Sequence, residues 1–87
     1  MDKVRVHTII AWDSGSDDME YYIGRDIKKV LKDAYEGYKL WFTEGEPDPD
    51  CEKLSFKEFS QELKGYDDVY IQFYDCHVEF KYFSEEV

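Results

Sequence analysis

Between Thr43 and Glu52, carboxylates fall at every second position: Glu44, Glu46, Asp48, Asp50 and Glu52, with no basic residue among them. Pro47 and Pro49 push their neighbours toward extended or polyproline geometry. In an extended chain, alternate side chains point the same way, about 6.6 Å apart. Such a segment presents a stiff row of negative charge, crudely like the phosphates of one nucleic-acid strand. A groove built from Lys and Arg to hold DNA or RNA could hold this row instead. A solvated loop is the alternative.

Two further acidic clusters point the same way. Asp13, Asp17, Asp18 and Glu20 surround one polar turn. Asp67, Asp68, Asp75 and Glu79 lie in a stretch, Gly65 to Phe80, that has no Lys or Arg. Positive charge gathers instead at Arg25, Lys28, Lys29, Lys32 and Lys39. The molecule is therefore expected to be polarised rather than evenly acidic. Tyr70 and Tyr74 stand beside Asp68 and Asp75, and tyrosine is a favoured anchor of protein interfaces. A net charge of −10 on 87 residues opposes direct binding to nucleic acid or to an anionic membrane. It favours partners with basic surfaces, for which it speeds association. Solubility alone is the other use for such charge.

Other chemistries find little support. Asp13-x-Gly15-x-Asp17 lacks the carboxylate spacing of a calcium loop, and no Cys/His set has zinc spacing, so no specific metal is expected. Cys76 and His77 are adjacent, and in a strand they point to opposite faces, unable to form a nucleophile–base pair. The five glycines are isolated, which leaves no phosphate-binding loop. Neither a cofactor nor an enzymatic activity is expected.

Something must position these acids, and the composition allows a fold. Apolar residues make up 43% of the chain and aromatics 18%, well above a disordered acidic tail. A single domain spanning 1–87 is expected. Two cysteines are too few for a disulfide-stapled secreted domain. The opening Met1-Asp2-Lys3-Val4-Arg5 does not read as a signal peptide, and no apolar run nears the roughly 20 residues that span a bilayer. The expectation is a reduced, cytoplasmic protein.

Alternation predicts a strand from Lys3 to Trp12, with Val4, Val6, Thr8 and Ile10 on one face and Arg5, His7 and Ile9 on the other. A polar turn leads to a second strand, Met19 to Ile23. Asp26 is placed to cap a helix running to about Glu36, with Ile27, Val30, Leu31, Ala34 and Tyr35 as its stripe and Gly37 ending it. Tyr38 to Thr43 reads as a strand. Ser55 and Glu58 form a capping box for a second helix, with Phe56, Phe59 and Leu63 inward and Gly65 stopping it. From Asp68 to Phe83 the apolar residues shift from odd to even positions at Asp75. A two-residue loop at Asp75-Cys76 would produce that slip and set Phe73 opposite Val78, Ile71 opposite Phe80 and Val69 opposite Tyr82, with a bulged long strand as the alternative. Phe42, Phe56, Phe59, Phe73 and Phe80 read as core.

The order is then β-β-α-β-α-β-β, an α+β fold with a mostly antiparallel sheet and two helices packed on one face. In size, charge and aromatic content the chain resembles two groups of small acidic inhibitors. One is the phage-encoded anti-defence proteins, anti-CRISPR and anti-restriction proteins among them, some of which imitate DNA. The other is the immunity proteins that neutralise bacterial nuclease toxins. The resemblance implies an inhibitor that occupies the nucleic-acid-binding surface of a basic partner: a nuclease, a CRISPR effector or another nucleic-acid-binding protein. A structural or regulatory subunit, acidic for solubility only, is the reading from a different class.

Overall fold

Apolar residues on both faces of the first segment suit a strand in the middle of a sheet. The structure, a computed structural model, describes residues 4–86, and Lys3, the expected start of that strand, lies outside them. β1 (Arg5–Asp13) runs antiparallel to β2 (Asp18–Gly24) on one side and to β4 (His77–Glu86) on the other. β3 (Val69–Gln72) pairs antiparallel with the outer side of β4, so the strand order is β2-β1-β4-β3. α1 (Ile27–Glu44) crosses β1 and β2, while α2 (Phe56–Lys64) crosses β3 and β4. The fold is α+β, as expected. Among the described residues no helix is long and apolar enough to cross a membrane.

Strand alternation settles which face is inside. Ile9 and Ala11 of β1, Ile71 of β3 and Val78 and Phe80 of β4 point at the helices and are buried. Tyr38 sits at the centre, fully buried, with its ring 5.0 Å from Phe59 and 5.7 Å from Phe80. Its hydroxyl accepts a hydrogen bond from the Leu54 backbone N–H at 2.8 Å, and the Tyr35 hydroxyl donates to the Leu54 carbonyl at 2.9 Å. Two helix tyrosines thus hold the returning linker.

Local signals mark the caps. Asp26 accepts from the Lys28 N–H at 3.0 Å. Both halves of the Ser55–Glu58 capping box are formed, and Gly65 ends α2.

Three expectations are corrected. Tyr38 to Thr43 is not a strand: α1 continues through Gly37 to Glu44, and the order is β-β-α-α-β-β. The apolar stripe simply runs on, since Tyr38, Trp41 and Phe42 follow Ala34 and Tyr35 at helical spacing. Gly37 serves the close passage of β2: a Cβ there would collide with the Tyr22 hydroxyl. The last hairpin has a four-residue loop, Phe73 to Cys76, closed by the Phe73 N–H bonding the Cys76 carbonyl at 2.9 Å. Its register pairs Ile71 with Val78 and Val69 with Phe80. A two-residue I′ turn needs positive φ at both positions, and neither Asp75 nor Cys76 has it. The shift is by two residues, so every side chain keeps its expected face. Finally, Phe56 is not core but 42% exposed, beside rather than beneath α1.

Candidate functional site

The turn at residues 14–17, the end of α1 with its linker, and the last hairpin loop all come to one end of the sheet. β1 delivers the first turn there, and the turn docks on the start of β4. The Ser14 N–H donates to the His77 carbonyl, and the His77 N–H donates to the Ser14 hydroxyl, each at 2.9 Å. Gly15 fits against Cys76, where an added Cβ would lie 3.2 Å from the cysteine Cβ. The linker is tied to β3 at the same end, the Asp48 N–H donating to the Gln72 carbonyl at 2.8 Å. Trp41, in the last turns of α1, sets its ring 5.9 Å from Phe73.

None of the three segments contributes Lys or Arg: residues 6–24, 40–52 and 65–80 contain neither. Their carboxylates divide into two kinds. Asp13 accepts from the Gly15 N–H and the Ser16 hydroxyl, both at 2.9 Å, and Asp17, at φ 61°, accepts from the Trp12 indole at 2.8 Å. These hold the turn. Asp48 does the same for the linker: it accepts from the Asp50 N–H at 2.9 Å in a turn closed by the Cys51 N–H bonding the Asp48 carbonyl at 2.8 Å. Pro49 occupies the second position of that turn, where its fixed φ belongs. Asp18, Glu44, Glu46, Asp50 and Glu52 are the other kind, exposed and with carboxylates that make no hydrogen bond or ion pair among the described residues.

The evenly spaced row of charges is therefore not kept. Glu44 ends a helix and Asp48 turns inward, so the segment bends where an extended chain would have run straight. Convergence from separate segments produces the concentration of charge instead. A small cavity of about 130 Å³ is bounded by Asp13, Asp18, Glu20 and Trp41. A neighbouring one of about 360 Å³ joins Glu20 to Trp41 and Glu44. α1 also points the negative end of its dipole here, with no basic residue in its last turn.

Tyr74 stands at the tip of the hairpin loop, 99% exposed, with Asp75 beside it. Asp67 and Asp68 are not brought to this end, for they precede β3 at its far side. Asp68 joins Tyr70, Glu79 and Lys81 on the open face of the sheet, 3.9 Å from the Lys81 ammonium. Burial, then a hydrogen bond shared with the Asp68 carboxyl, pushes Glu79 above its usual range, while Lys81 and His77 pull it down. Burial, followed by Glu79 and Asp68, also raises the Tyr70 phenol.

Sequence reasoning missed the rest of that open face. Met19, Tyr21, Ile23 and Phe83 are exposed on it next to Ile10 and Trp12. The signal was present in the apolar residues on both faces of β1. Cys76 is a free thiol pushed upward by burial and then by Asp75 and Asp13, which disfavours its thiolate. Compared with family models, curated proteins and solved structures, the chain matches none.

Proposed function

We propose that this is a small acidic inhibitor that docks its acidic end on a basic, nucleic-acid-binding surface of a cytoplasmic partner protein and blocks it. The phage-type anti-defence role, against a CRISPR effector or a restriction nuclease, is the form we favour. It acts by occupying a surface and catalyses nothing. The observation that carries the reading is the convergence of three Lys- and Arg-free segments on one end, capped by a fully exposed tyrosine. Carboxylates held together without counter-charges repel one another and weaken the fold. A basic groove relieves that repulsion and gains counterion-release entropy, as it does with phosphates. Tyr74 supplies the apolar anchor that charge alone lacks.

Cleavage of DNA by a panel of CRISPR effectors and restriction nucleases, with and without the protein, tests this. Inhibition of at least one, relieved by salt, is expected. A folded Glu44→Gln, Glu46→Gln, Asp50→Asn, Asp75→Asn variant should inhibit about tenfold less well. Undiminished inhibition by that variant would sink the proposal. A second reading, an immunity protein against a basic nuclease toxin, draws on the placement of Tyr74 and Asp75 together on the last hairpin. Inhibition confined to a toxin nuclease would select it.

A further inference from the structure

Positive charge is gathered as well, on the two helices. α1 and α2 leave between them a groove of about 720 Å³. Tyr35 and Phe56, edge to face at 5.4 Å, form its aromatic wall. Lys28, Lys32 and Lys39 line it from α1, and Lys57 and Lys64 from α2. One carboxylate, Glu36, lies among them, and it is committed to Lys39 at 3.0 Å. The other four lysines make no ion pair among the described residues.

That arrangement is unexpected in a chain with 21 acidic and 11 basic residues. Lys28 and Lys32 are one turn apart, a spacing at which like charges destabilise a helix. Ser60 adds an independent sign. It lines the same groove, is only 8% exposed, and its hydroxyl has no hydrogen-bond partner. Buried hydroxyls are normally satisfied, and a turn about χ1 would bring this one out of its sealed position to an acceptor held in the groove.

We propose that the groove between α1 and α2 binds a small organic anion. Its apolar or aromatic body lies on Tyr35 and Phe56, the lysines hold its carboxylate or phosphate, and Ser60 donates to an oxygen. The volume lies within the roughly 300–1,000 Å³ usual for small-molecule sites. Charge alone would equally admit the acidic end of a second copy; the volume, which is that of a small-molecule site, favours a small ligand. This site is independent of the acidic end.

Titration of the ¹⁵N-labelled protein with 1-naphthyl phosphate, followed by amide chemical shifts, tests it. Saturable shifts confined to residues 28–39 and 56–64 are expected. 1-Naphthol and inorganic phosphate, each carrying half of the chemistry, should bind about tenfold more weakly. A Lys32→Glu, Lys57→Glu variant should lose about tenfold in affinity, and Ser60→Ala, which keeps the charge, about threefold. Equal binding of 1-naphthol would reduce the groove to an apolar patch. Equal binding of phosphate would reduce it to loose counter-ion association. Shifts mapping elsewhere, or affinity unchanged in both variants, would also overturn the proposal.

Discussion

Tyr22 of β2 rests its hydroxyl over the backbone of α1 at Gly37, where any added Cβ would collide with it. The same hydroxyl donates to the Glu20 carboxylate at 2.8 Å, which keeps the ring from swinging aside. In an open helix, Gly→Ala gains about 0.8–1 kcal/mol. Here Gly37→Ala is expected to lower stability in denaturant melts instead. Removing the obstructing oxygen with Tyr22→Phe should shrink that loss. Equal losses in both backgrounds would show that the passage of β2 is not what requires glycine.

Two glutamates should respond to pH with opposite signs. Glu58 is held below its usual range, first by the Ser55 backbone N–H and then by the Ser55 hydroxyl. A group depressed in the folded state stabilises above its unfolded pKa and loses that effect as pH falls. Glu79 is raised by burial and by Asp68. Its ionisation therefore opposes folding, and the stability present at low pH is lost as pH rises through its folded pKa. Glu79→Gln should raise Tm at about pH 7 and change it little at about pH 4, whereas Glu58→Gln should lower Tm at pH 7 and matter less at pH 4. Thermal melts at the two pH values check both signs.

Losing the cap itself should be visible. Ser55→Ala removes an acceptor for the Glu58 N–H at 3.2 Å and is expected to cost about 1 kcal/mol in urea denaturation.

Crowded carboxylates predict an unusual salt response. Adding salt from about 0.05 to 0.5 M should raise Tm by screening repulsion at the acidic end. The variant neutralised at Glu44, Glu46, Asp50 and Asp75 should start with a higher Tm and gain less from salt. A salt response as large as that of the unaltered protein would place the repulsion elsewhere.

Much of this was legible in the chain where the signal is local. Asp26, Ser55 with Glu58, and Gly65 mark helix ends because capping needs only a few adjacent residues. The phase slip at Asp75 revealed the last hairpin because side-chain alternation is a two-residue rule. Tyr38 to Thr43 misled because six residues, mostly apolar, satisfy strand alternation and helical spacing alike. Gly37 reads as a stop only until Tyr22 is known to pass over it, and that is a contact between elements. The acidic site followed the same division. Its clusters were evident as charge runs, but their meeting depends on Ser14 bonding His77 and Asp48 bonding Gln72 across the fold. Asp48 was misjudged as one free charge in a row because its turn is closed by hydrogen bonds that spacing does not reveal.

The central claim is that the acidic end, and not acidity in general, recognises basic partners. Titration with protamine, an arginine-rich DNA-binding protein, tests it most directly when two charge-matched variants are compared. One neutralises Glu44, Glu46, Asp50 and Asp75; the other neutralises Asp33, Glu36, Glu62 and Glu85, which are exposed away from that end. Affinity should fall about tenfold in the first and stay within about twofold in the second, with a shallower salt slope in the first alone. Equal losses in the two variants would contradict the account.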